Sequence, residues 1–418
     1  MTGCPIHFDP LSPEQLEDPY PTYAALRVAA PVFFDAAHNL WVVSRYDDIF
    51  AIVRDTQTFS SHNATRASTK PLPLEVQAVL ATAWPLEPTI TTSDGDMHRR
   101  LRMSVSRVLT PRKMAGEEGA IRRDVDTLID DMIRRGKCST DLIDSFGWSL
   151  PLLTVTRLLG VPASDMEKFH RWGRSWLRIL QATDDPDSLI ECARDVVDFQ
   201  RYFMAIVESP NSKDPNTFVG QLRSIELPGQ DPLSNLEAMR IMVNIVLAGH
   251  VTVTRSIGNA VWLLHDHPQA LEKLRAKPEV VETMVEEILR YESPAQGLFR
   301  TTTTATEVGG VRIPANARVM LHWGSANRDE KAFDHPEIFD IERDSKSKQV
   351  AFGKGVHSCI GAPLARLQLK IALPRLFERL PNLRISDAPD AAVRDTVFFA
   401  RGFRTLRVEW DPKAHALG

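Results

Sequence analysis

The sequence has few cysteines, little charge imbalance and no long apolar runs, and each shortage excludes something. Its 418 residues hold four cysteines: Cys4, Cys138, Cys192 and Cys359. No two form a C-x-x-C pair, which argues against a zinc or iron–sulfur centre built on neighbouring sulfurs. Nothing else suggests an oxidised framework. Lysine and arginine total 50 against 54 acids, a net charge of −4, so no global field favours nucleic acid or an anionic membrane. The first residues, MTGCPIHFDPLSPEQ, lack the basic and apolar regions of a secretory signal. No unbroken run approaches the ~18 apolar residues of a spanning helix. The expectation is a cytoplasmic, soluble monomer with no membrane or nucleic-acid partner.

What is present is mostly helical texture. PVFFDAAHNLWVVSR predicts two short strands turning at Ala36–Asn39, followed by the helix YDDIFAIVRD. The stretch from Ser60 to Asp96 reads as a long loop with one short helix. From Met97 about 200 residues are mainly helical, including MEKFHRWGRSWLRIL and SLIECARDVVDFQRYFMAIVES. PNSKDPNTFVGQ predicts a polar break. Ser234 and Glu237 form the sequence of a capping box, opening a long helix through LEAMRIMVNIVLAGHVTVTRSIGNAVWLLHDH that is apolar nearly all round and so expected to be buried. Beyond Thr301 short β-branched segments flank Gly309-Gly310, a hairpin signal. Helix returns from Ala362 to Leu380. Strands and helices are mixed rather than alternating, so the expected fold class is mainly α with small β-sheets, residues 1–418 forming one domain.

Cys359 stands out in VAFGKGVHSCIGAPLARLQL. Pro363 suits the first turn of the helix that follows, so the sulfur sits at a helix N-terminus, where unpaired N–H groups favour an anion and lower a thiol pKa. Gly353, Gly355 and Gly361 allow tight turns and close approach of a large group. By itself this cysteine fits an inert core residue, a nucleophile with His357 as its base, or a metal ligand.

The whole string resembles the haem-binding signature of the cytochrome P450 family. Phe352, Gly353, Gly355, His357, Cys359 and Gly361 fill every specified position within ten residues. The resemblance implies the P450 fold, with haem b buried between the long central helix and the cysteine-loop helix. Cys359 would be the axial thiolate on iron, a ligand that favours O–O cleavage, and Phe352, Gly353 and Gly361 would shape the loop. His98 and Arg102, at i and i+4 in HRRLR, match the family's propionate-binding pair, with Arg300 and His357 as further contacts. Glu287 and Arg290 match the family's E-x-x-R pair, with Arg343 as a third structural member.

Ala248-Gly249-His250-Val251-Thr252 resembles the family's oxygen-activation segment. Gly249 would let the helix approach haem and open locally, and Thr252 would place proton donors. Val251 stands where the family usually has an acid, and a valine relays no proton. His250 is its neighbour but points about 100° away around a helix. The resemblance further implies a substrate pocket from Asn244, Leu247, Ala248 and Thr252, from Gln296, Gly297, Leu298 and Phe299, from Trp84, Leu86, Thr89 and Ile90, and from Phe398 and Phe399. This mainly apolar set favours a small, neutral, hydrophobic or aromatic substrate.

The implied activity is monooxygenation, inserting one atom of O2 into an organic substrate by hydroxylation or oxidative dealkylation. With no fused reductase expected, electrons would come from a ferredoxin or flavodoxin-type donor and its NAD(P)H reductase. The run Met97–Met114, with Arg99, Arg100, Arg102, Arg107, Arg112 and Lys113 and no acid, would offer a basic docking face joined by Lys354. Val251 keeps two alternatives open: a peroxide-dependent peroxygenase and a haem-binding sensor with little turnover.

Overall fold

A single long helix, Asn235–Asp266, forms the axis of the protein. The computed structural model describes residues 6–66, 71–135, 137–181, 185–397 and 399–412. Ser234 caps the helix as its sequence predicts: its Oγ accepts from Glu237 N at 3.2 Å, and Glu237 Oε2 accepts from Ser234 N at 2.9 Å. Among the described residues this is the one helix long and apolar enough to cross a membrane. More than half of its apolar window is buried inside the protein, beneath helices Ser149–Leu159, Pro186–Glu208 and Ala362–Arg379. Its hydrophobicity is that of a core helix.

Two apolar cores flank this axis. One joins Ile121, Val125 and Ile129 to Ile257, Val261, Leu373 and Leu376. The other joins Leu101 and Val105 to Phe169, Trp172, Phe199 and Phe203, and takes in Met239 and Val243 of the central helix. Leu101 and Val105 lie one turn apart on the Gly95–Val108 helix. Burying them orients His98 and Arg102 of the same helix.

A five-stranded sheet lies to one side, in the order Val32–Asp35, Leu40–Val43, Arg318–Leu321, Leu298–Thr302, Phe59–Ser60. The first two strands form the expected hairpin, with Asn39 at φ 50°. Leu40–Val43 runs parallel to Arg318–Leu321, and the other pairings are antiparallel. Gly309 and Gly310, at φ 56° and 80°, turn the predicted second hairpin.

Two expectations change. The polar break after Glu208 contains a 3-10 turn, Pro210–Lys213, and the start of a helix, Phe218–Arg223. Thr217 Oγ1 caps that helix by accepting from Gly220 N. Within the mainly helical run, Ser139–Asp141 is a strand paired with Arg407–Glu409, more than 260 residues away. Its partner is too distant for any local pattern to announce it.

Candidate active site

The cysteine loop is built by glycine and closed by its own backbone. Cys359 N donates to Phe352 O at 2.8 Å. Gly353 and Gly355 lie at φ 65° and 72°, and a Cβ at Gly355 would come within 2.6 Å of Val53 O. Gly361 differs. Its φ is −84°, and a Cβ there would meet only Cys359 Sγ, at 3.9 Å. Nothing in the chain itself demands glycine at 361, so the absent side chain leaves room beside the sulfur. Cys359 is surrounded by protein yet keeps accessible surface, so it opens into an internal space. Burial pushes its thiol up, while the N–H groups of Gly361 and Ala362 and the charges of Arg102 and Arg366 act downwards. The expected lowering at the helix N-terminus is present but outweighed by desolvation.

Four predicted residues converge beside this loop. Arg102 Nη2 donates to Ser358 O at 2.7 Å. The His98 and His357 rings lie 4.0 Å apart, and His357 Nε2 is 2.9 Å from Ser61 Oγ. Asp94 holds Ser61 by accepting from its backbone N at 2.9 Å. Arg300 is buried, with Nη1 donating to Phe299 O. Burial, helped by Arg300 and Arg102, holds His357 down to about 3, and burial with Arg102 lowers His98. Burial also lowers Arg300 to about 10. Each shift marks a place where positive charge lacks compensation. His98 Nε2 is buried with no partner among the described residues. An anionic oxygen would satisfy it.

The segment Ala248–Thr252 sits mid-way along the central helix, which stays α-helical throughout. Ala248 is accessible although Val246 and His250 are buried. Thr252 Oγ1 donates to Ala248 O at 3.2 Å. The expected local opening at Gly249 is not seen. A Cβ at 249 would lie 2.9 Å from Val155 Cγ2, so the glycine faces the Ser149–Leu159 helix and serves close helix packing. His250 packs against Trp148, ring centroids 4.3 Å apart, and against Gly173. Burial pushes it down to about 3. Val251 is 7% exposed.

A cavity of about 180 Å³ adjoins this helix. Of the predicted pocket residues, Asn244, Leu247, Leu86 and Thr89 line it. Others have different surroundings. Trp84 packs into the second core, its N donating to Gln200 Oε1. Gln296 is held by Tyr23 and Ser293 and fills the space beside Gly324. Leu298 and Phe299 are successive strand residues and so point to opposite faces. Phe299 is buried with Leu26 and Phe33, and Leu298 shares its face with Arg300. Phe398 lies outside the described residues. The sequence reading missed Trp176, Ile179 and, on the central helix, Met239, Arg240 and Val243. Arg240 stands one turn before Asn244, so stepping back along the same helical face would have found it. A wider surface cleft of about 470 Å³ beside the five-stranded sheet holds none of the predicted residues.

The E-x-x-R pair is completely buried. Arg290 donates to both carboxylate oxygens of Glu287 at 2.7 Å and to the carbonyls of Asn327 and Pro336 at 2.9 Å. Arg343 Nε reaches Glu287 Oε1 at 3.2 Å. The proposed basic docking run is more dispersed. Arg100 pairs with Glu237, Arg102 points to the cysteine loop and Lys113 meets Gln221; Arg99, Arg107 and Arg112 are exposed, though Arg99 pairs with Asp96 and Arg107 donates to Glu226 O.

Comparison with known proteins agrees with this geometry. The family model described as cytochrome P450 matches residues 188–390. The putative cytochrome P450 YjiB of Bacillus subtilis is 32% identical over 397 residues, 94% of this chain and 93% of that protein. Erythromycin C-12 hydroxylase of Saccharopolyspora erythraea is 35% identical over 385 residues, 92% of each. The crystal structure of the P450 heme domain of Tepidiphilus thermophilus superposes with a TM-score of 0.89 at 28% identity, covering 97% of each chain. The chain therefore belongs to the cytochrome P450 family.

Proposed function

We propose that this oxygen-incorporating oxidoreductase inserts one atom of O2 into a small, mainly apolar organic molecule by hydroxylation or oxidative dealkylation. The observation that carries the reading is the pairing of an inward-opening Cys359 with Arg102, buried Arg300 and an unpartnered His98 Nε2 beside it. These residues fit haem b: a sulfur for iron, donors for two propionates, and space where Gly361 has no side chain. Thiolate-ligated haem, when bound, supplies the dioxygen chemistry.

The chain's own residues do the rest. Gly361 and Ala362 N–H groups with Arg102 and Arg366 favour the thiolate against its burial. Arg102 ties the Gly95–Val108 helix to Ser358, adjoining the ligand. His98, Arg102, Arg300 and His357 hold the propionates. Thr252, on the accessible stripe with Ala248, holds proton donors, since Val251 has no proton to give. His250 faces Trp148 and takes no part. Two electrons and two protons accompany O2, so one oxygen enters the substrate and the other leaves as water. P450s of bacterial type generally take electrons from a redox partner. A ferredoxin or flavodoxin-type donor fits the exposed Arg99, Arg107 and Arg112 with the neighbouring exposed Met103.

The test is reconstitution with haem and a ferredoxin–reductase pair. The ferrous–CO complex is expected to absorb at the long wavelength of thiolate ligation, and Cys359→Ser to lose that band. NAD(P)H-driven product formation across a substrate panel supports monooxygenation. Turnover with hydrogen peroxide alone indicates a peroxygenase, and binding without turnover a sensor.

A further inference from the structure

The sequence leads to a neutral substrate because it offers no obvious cradle for an acid. The cavity beside the central helix supplies one. Arg240 is only 9% exposed and lines this cavity with Asn244 and Leu247. Its Nε is committed, donating to Pro85 O at 2.7 Å. Among the described residues no acceptor meets its Nη1 or Nη2, the edge of the guanidinium that remains. Glu87 also lines the cavity, and its charge is felt by Arg240, but the two form no ion pair. Burial pushes the Glu87 carboxyl up, which weakens it further as a counter-charge. A third charged residue, Arg66, adds to the positive side.

Arg240 Nη1 and Nη2 are thus the donors that the cavity leaves for a ligand, and an anion there would offset the partial desolvation of the side chain. Its planar fork matches a carboxylate or phosphate bidentately. The rest of the cavity is largely apolar, with Leu72, Leu80, Trp176 and Ile179. Arg240, Asn244 and Leu247 form one helical stripe, which Ala248 continues towards Thr252. Eight residues separate Arg240 from Ala248, about 12 Å along an α-helix.

We propose that Arg240 is a specificity-determining residue that binds the oxyanion head of an elongated organic acid, whose apolar body runs along the central helix to be oxidised near Ala248. This deepens the monooxygenase reading and rests on it. Arg240 then selects against a cationic head. The shared chemistry is an organic oxyanion, either a carboxylate or a phosphate monoester.

The experiment uses the haem-loaded protein and reads binding from the Soret shift on titration with decanoic acid, decyl phosphate, decan-1-ol and decylamine. In the unaltered protein an oxyanion is expected to bind more tightly than the alcohol. Whichever of the two oxyanions binds better identifies the head group. Arg240→Met, which keeps the aliphatic stem, is expected to weaken that oxyanion roughly ten- to a hundredfold and leave decan-1-ol unchanged. Arg240→Lys recovers part of the loss, because it keeps charge without the fork. Equal loss for acid and alcohol would reduce Arg240 to a brace for the Pro85 loop and overturn the proposal. So would preferential binding of decylamine abolished by Glu87→Gln. Absence of the thiolate CO band in the unaltered protein would instead sink the underlying family-site reading, so the two failures are distinguishable.

Discussion

His98 and His357 sit ring against ring, centroids 4.0 Å apart and planes tilted by 39°. One Nε2 is bonded to Ser61 and the other has no partner among the described residues. The asymmetry assigns different work to the two rings. His357 is fixed by the protein, and His98 keeps a hydrogen bond in reserve. His98→Phe is therefore expected to leave the fold intact and to speed haem loss to a scavenger protein about tenfold, the loss of one hydrogen bond to a charged group. An unchanged rate would remove His98 from the propionate set.

Glu287 and Arg290 are each 0% exposed in their side chains. Removing one partner of such a pair leaves an unpaired buried charge, worth about 3–5 kcal/mol. Arg290→Ala and Glu287→Ala should both fail to yield haem-loaded protein, or melt far lower. Arg290→Lys should also suffer, because an ammonium cannot serve Glu287 and two carbonyls in the same plane. A variant with ordinary melting and haem content would show the pair to be dispensable.

Gly249 against Val155 gives a packing prediction where the sequence suggested an oxygen-binding one. Gly249→Ala places a methyl 2.9 Å from Val155 Cγ2, and overpacking of this kind costs about 1–3 kcal/mol. The double variant Gly249→Ala, Val155→Ala should regain stability relative to the single variant. Denaturation midpoints of the set decide it. If the second substitution recovers nothing, the close contact with Val155 is not what requires glycine.

These cases show what the sequence made legible. The cysteine loop was readable because its chemistry is local: glycine torsions, a helix start and a sulfur within ten residues. HRRLR and E-x-x-R were readable as i, i+4 and i, i+3 pairs, but not their depth, since burial depends on elements far along the chain. The alternation that separates Leu298 from Phe299 is a sequence signal as soon as the segment is read as a strand. The place of Arg240 on the Asn244 stripe was legible, but a lone arginine on an apolar helix gives no sign of whether it meets solvent, a carbonyl or a cavity. The direction of Gly249 required knowing which helix packs against it.

Buried histidines away from the cysteine loop predict a pH dependence. Burial holds His250 and His322 each at about 3, against 6.5 when exposed. Between those values the unfolded chain binds more protons than the folded one. Stability is thus fully present above pH ~6.5 and falls as pH drops towards ~3, by about 2 kcal/mol per histidine at pH 5. His250→Phe, facing Trp148 and Gly173, should show a smaller loss of melting temperature between pH 7 and pH 5 than the unaltered protein. An identical loss would mean that His250 is protonated as easily in the fold as outside it.

Proton supply is the question Val251 raises, and Thr252 is the group proposed to answer it. Val251 cannot donate, and the neighbouring imidazole is turned towards Trp148 and held neutral. The Thr252 hydroxyl lies on the accessible stripe and is anchored by Ala248 O. Thr252→Ala is expected to keep NAD(P)H consumption while product falls and hydrogen peroxide rises, with Thr252→Ser restoring much of the product. His250→Phe should leave the product-to-NAD(P)H ratio unchanged. Installing the missing acid tests the same logic from the other side. Because position 251 is nearly closed to solvent, Val251→Asp should lose about 1–3 kcal/mol of stability, and any gain in product yield must come despite that loss. Full coupling in Thr252→Ala would mean that protons reach oxygen without this hydroxyl, and the relay would have to be sought in water or in the substrate itself.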